Sequence, residues 1–111
     1  MCIRDRNHIA YAEHGLGLVW TMLKRYDKAR TALERVLDEY RWNHNTYGVA
    51  EINYLLGRCE MLAGNARAGV AFFRTAHGLA YQLDPSPARD FLMKWIQDWL
   101  RRVQDGEFGS V

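Results

Sequence analysis

Apolar and polar positions alternate with a helical period through five successive segments of the chain, and the breaks between them carry turn-forming residues. Residues 8–24 place Ile9, Ala12, Leu16, Val19, Trp20 and Leu23 at helical spacing. After a break at Arg25, Tyr26 and Asp27, residues 27–41 repeat the pattern through Ala29, Ala32, Leu33, Val36, Leu37 and Tyr40. Arg30 with Glu34, and Arg35 with Glu39, stand four apart as opposite charges on the solvated face. The polar stretch 42–46 interrupts the pattern, and a third helix is expected over about 47–63, ended by Gly64 and Asn65. A fourth covers about 66–82 through Val70, Phe72, Phe73, Ala76, Leu79 and Ala80. Ser86 followed by Pro87 is the clearest helix start: the hydroxyl caps free amides, and proline lacks only an N–H that has no partner there. The helix that follows, about 87–104, carries Phe91, Leu92, Trp95, Ile96, Trp99, Leu100 and Val103 on one face. No segment carries a strand signal, so the expected fold class is all-α.

The helices also repeat. Leu16-Gly17 laid on Leu56-Gly57 aligns Ala29 with Gly69, Leu33 with Phe73 and Val36 with Ala76, an offset of 40 residues. Gly17 and Gly57 admit a close helix–helix approach, Ala29 and Gly69 are the small residues facing them, and Leu33 and Phe73 fill the layer between. This arrangement resembles the tetratricopeptide repeat, whose common period is about 34 residues. The surplus is expected between the second and third helices, around Arg41 to Thr46. Three features depart from the family: Glu13 and Asn53 stand where tryptophan is frequent, Lys24 replaces a turn glycine, and neither unit ends on proline.

The resemblance implies an α-solenoid of two helical hairpins, about 8–41 and 47–82, closed by a capping helix over about 87–104. Residues 105–111 are expected to be a flexible tail. In the family the first helix of each hairpin lines a concave surface that holds a peptide or a partner helix. Carried onto this chain, that surface comprises Tyr11, His14, Leu18 and Thr21 from the first unit and Glu51, Tyr54, Arg58 and Met61 from the second. Arg58 suits a partner carboxylate, with Tyr11 and Tyr54 supplying packing area. The same residues alternatively pack on a neighbouring repeat. The positions where some members clamp a terminal carboxylate with lysine and asparagine hold His14, Leu18, Tyr54 and Arg58 here, which argues against chaperone-tail recognition.

Composition narrows the function classes. The 111 residues are 49% apolar and 25% charged, one domain's worth of ordinary globular chain. A net charge of +2 makes no electrostatic case for nucleic acid or an anionic membrane. No apolar run approaches a membrane span, and two cysteines, Cys2 and Cys59, suit a reducing, cytoplasmic setting. Gly15, Leu16 and Gly17 follow no strand and lack the third glycine of a dinucleotide loop. His8, His14, His44 and His77 form no ligand set, so no metal or cofactor is expected. Beside Arg58 the Cys59 thiol is either activated or, more simply, buried and inert. Nothing assembles a nucleophile, a base and an oxyanion site, so no enzyme is expected.

The expected function is a protein- or peptide-binding module, with self-association through the ends of the array as a further option. The alternative is the C-terminal part of the helical sensor region of a bacterial regulator. Twelve arginines against three lysines fit a GC-rich bacterial source. Residues 1–6 resemble a sequencing-adaptor start found in environmental assemblies, which implies a non-native or disordered start and a piece of a longer protein.

Overall fold

A computed structural model of the protein describes residues 14–109. Among these, five helical segments follow one another and no strand occurs. They are α1 (14–22 within the described residues), α2 (Tyr26–Trp42), α3 (Thr46–Leu62), α4 (Ala66–Tyr81) and α5 (Pro87–Gln104). The chain is all-α as expected, and the boundaries of α2 to α5 fall within one residue of the periodicity. The expected α1 start at residue 8, the segment 1–6 and Tyr11 lie outside the described residues. Ser86 caps α5 by accepting the Arg89 amide at 3.1 Å, with Pro87 in the first turn.

The three turns linking α1 to α4 are copies of one another. Each places one residue in the left-handed region, Lys24 (φ 61°), His44 (φ 57°) and Gly64 (φ 92°), spaced by 20. Each then closes with a wide bond from the following amide: Arg25 to Trp20 at 2.8 Å, Asn45 to Tyr40 at 2.9 Å and Asn65 to Glu60 at 2.8 Å. This corrects the expected place of the surplus residues. The α2–α3 turn is no longer than its neighbours, so the 40-residue offset comes from helices of 16–17 residues. A Cβ in the left-handed region costs roughly 1–2 kcal/mol, partly offset by the freedom glycine regains when unfolded. Lys24→Gly and His44→Gly should therefore each raise the unfolding free energy by about 0.5–1 kcal/mol. Urea melts should show a higher midpoint at unchanged slope. A lower midpoint would show that the side chains support the turns.

Packing follows the repeat. A Cβ on Gly57 would come within 2.6 Å of the Phe73 ring, and one on Gly17 within 2.5 Å of Leu33, so each glycine admits the large residue of the partner helix. A Cβ on Gly69 would lie 3.0 Å from the Gly57 carbonyl, which marks the close α3–α4 crossing. Among the helices, α3 is central, packing on both α2 and α4, while α5 lies on α4 and also touches α3. Its consequence is burial around most of α3, including Ile52, Leu56 and Cys59 at 0–2% exposure. Of the corresponding positions one offset earlier, the two within the described residues are bare: Leu16 is 44% and Val19 48% exposed. The apolar stripe of α5 divides similarly, with Leu92 and Ile96 buried but Phe91 and Trp95 exposed.

Two further expectations change. Arg30 does not serve a surface pair with Glu34; its guanidinium reaches Glu60 of α3 and, at 2.8 Å, Asp27. Glu60 is buried and also accepts from Asn65 Nδ2 at 3.0 Å, so the carboxylate joins α2, α3 and the turn before α4. The expected flexible tail is folded back over 105–109. Phe108 stacks on Trp99 at 5.8 Å, and Arg102 lies over Trp99 at 4.4 Å while donating to Glu107 at 2.8 and 2.6 Å.

Candidate functional site

On α3, Glu51, Tyr54, Leu55 and Arg58 stand at i, i+3, i+4 and i+7, the spacing that aligns side chains on one face. That face floors a cleft of about 440 Å³, bounded by His14 and Leu18 of α1 and by Trp95 and Trp99 of α5. Helix α5 can reach it because Phe73 lies beneath. Its ring is 5.9 Å from Tyr54 and 5.7 Å from Trp99, and Tyr54 stacks on Trp95 at 6.1 Å. A continuous aromatic row therefore supports one wall of the cleft.

The polar groups sit at its two ends. The Arg58 guanidinium lies 5.9 Å from the Tyr54 ring, and its Nε is buried with no hydrogen-bond partner. A buried donor left without an acceptor costs free energy, more so on a charged group. At the other end Glu51 faces His14, with Oε1 and Nδ1 3.8 Å apart, beyond hydrogen-bond length. Burial pushes the Glu51 carboxyl above its usual range, and His14 opposes that rise. The nearby Tyr47 phenol is likewise pushed up by burial, with Glu51 adding to it.

Five of the eight expected groove residues thus meet in one cleft: His14, Leu18, Glu51, Tyr54 and Arg58. Tyr11 lies outside the described residues. Thr21 does not line the cleft; its hydroxyl donates to the Gly17 carbonyl at 2.9 Å. Met61 is also misplaced by counting along the sequence. Seven residues beyond Tyr54 it returns to within about 20° of that residue, on the edge of the α3 face that packs on α4. It packs instead against Gly69 of α4 and is 4% exposed. Tyr54, expected as an accessible contact, is 7% exposed and belongs largely to the core.

Leu55, Trp95 and Trp99 escaped the sequence reading of the groove. The i, i+4 tryptophan pair on the expected capping helix was its visible signal, although that it would border the groove was not. Cys59 is fully buried, its thiol donates weakly to the Tyr26 carbonyl at 3.8 Å, and burial pushes its pKa up. An activated thiolate is therefore contradicted. No group of His, Cys, Asp or Glu able to hold a metal occurs among the described residues, and no helix there is long and apolar enough to cross a membrane. Comparison with known proteins finds no family model, no curated protein and no solved structure that matches this chain.

Proposed function

We propose that the protein is a binding module of the tetratricopeptide kind, which holds a protein segment in the cleft between α1, α3 and α5 and performs no chemistry. The observation that carries this reading is the convergence of groove positions from two units 40 residues apart on one apolar-walled cleft with few polar groups. The equivalent Gly17–Leu33 and Gly57–Phe73 contacts and the three matching turns support a solenoid, with α5 as its capping helix. The exposed α1 row of Leu16 and Val19 is where a further hairpin, or a second copy, would stack. A cytoplasmic, bacterial setting goes with this reading.

Selection of random peptides on the full chain tests it. Leu18→Glu is the counter-variant, because Leu18 lines the cleft and is 37% exposed, so the fold tolerates the change. Enriched peptides should lose at least tenfold in affinity to Leu18→Glu at an unchanged melting temperature. Peptides that bind both proteins equally would place recognition elsewhere. A second reading draws on the cleft's size, which falls within the range of small-molecule sites. It would be the effector pocket of a regulator, and enrichment of no peptide by the folded chain would favour it.

A further inference from the structure

Glu51 and Arg58 mark the two ends of the cleft floor, and the distance between them constrains what can lie there. Seven residues of helix separate them by about 10.5 Å along the axis. Between them the floor is Tyr54 and Leu55, and the walls are Leu18, Trp95 and Trp99. At one end the Arg58 guanidinium has no carboxylate partner among the described residues, and at the other Glu51 has His14 at 3.8 Å and Tyr47 nearby. An uncharged segment laid across this floor would take both groups further from water while adding no partner to either. A segment with opposite charges at matching places pairs both.

A segment in polyproline-type extended conformation matches the spacing of the two charges. Its residues three apart lie on the same side, about 9.3 Å from one another, within side-chain reach of the Glu51–Arg58 spacing.

Resting on the proposed binding function, we infer that the cleft reads an extended, dipolar protein segment. An acidic side chain pairs with Arg58, a basic side chain three residues away pairs with Glu51, and a large apolar residue between them sits against Leu18 and Trp95. Specificity resides in the charge pattern, because a wrong charge at either end meets a like charge in a partly dry site.

Four labelled peptides of equal length test the inference on the full chain. Each has a central leucine, and the two flanking positions, three apart, are aspartate and lysine, two aspartates, two lysines, or asparagine and glutamine. The dipolar peptide should bind at least tenfold more tightly than each of the others. Arg58→Glu should shift the preference to the doubly basic peptide, and Glu51→Lys to the doubly acidic one. Arg58→Gln and Glu51→Gln, which introduce no new charge, should each erase most of the dipolar advantage if a reversed charge prevents folding. The same ranking in the wild type and all variants would overturn the charge-reading inference while leaving a peptide-binding cleft. So would selected peptides lacking the pattern while the four probes fail to bind. Failure of the probes together with an empty random selection would remove both readings.

Discussion

Phe73→Ala is expected to lower the unfolding free energy by about 3–5 kcal/mol, the usual cost of truncating a buried aromatic ring. Phe73 is fully buried and packs where Gly57 has no side chain. Its ring also touches Tyr54 of α3 and Trp99 of α5. The void left by alanine cannot be refilled cheaply, because the α3–α4 spacing is already held near contact by Gly57 and Gly69. Thermal and urea melts followed by circular dichroism would measure the loss. A change below about 1 kcal/mol would show that Phe73 is not the pillar of the core. Leu33→Ala is the internal comparison, since Leu33 makes the equivalent contact with Gly17. It should fall at the low end of the 2–5 kcal/mol expected for aliphatic truncation, because α1 has a bare face and can relax toward the gap. Tryptophan fluorescence should also respond to Phe73→Ala more than to Leu33→Ala, as Trp95 and Trp99 stand on the Phe73 side of the cleft.

Arg30→Ala is expected to cost about 2–4 kcal/mol. Removing one partner of a buried ion pair leaves the other charge dry and uncompensated, at a typical cost of about 3–5 kcal/mol. Arg30 itself keeps 27% of its side-chain exposure, so solvent screening lowers the figure somewhat. Glu60 is the dry partner, 7% exposed, and would retain Asn65 as its one side-chain donor among the described residues. The geometry makes a second claim testable. Replacing both charges, as in Arg30→Met with Glu60→Leu, should recover most of the loss, because apolar packing substitutes for the pair without an orphaned charge. A double-mutant cycle on urea melts would separate these terms. Equal and additive losses in the two single variants would mean that the ion pair does not couple α2 to α3.

Much of the architecture was legible because it depends on neighbours in sequence. Helical periodicity, the Ser86–Pro87 start and the turn at Gly64 are local matters, and the boundaries of α2 to α5 followed from them. The repeat offset was legible too, since a glycine facing a large residue is a contact that sequence can carry in two copies. Non-local partners were not. Arg30 has an acidic residue at helical spacing, Glu34, yet Glu60 lies thirty residues away in sequence and takes the guanidinium. Counting placed Met61 with the groove, although α4 packs over it at Gly69. The tail looked frayed because its polarity and glycines say nothing of Trp99, which Phe108 finds only once α5 is in place.

The groove shows the same division. Position in the repeat was enough to bring His14, Leu18, Glu51, Tyr54 and Arg58 into consideration, since residues one turn apart on a helix share a face whatever surrounds them. Sequence by itself therefore determined helices α2 to α5, the 40-residue correspondence and most of one wall of the cleft. Only the tertiary structure decided that α5 closes the cleft with Trp95 and Trp99, that Tyr54 belongs mainly to the core, and that the Arg58 Nε is left without an acceptor. Those features depend on the rotation of each helix against its neighbours, which many buried contacts settle together and no short stretch of sequence encodes.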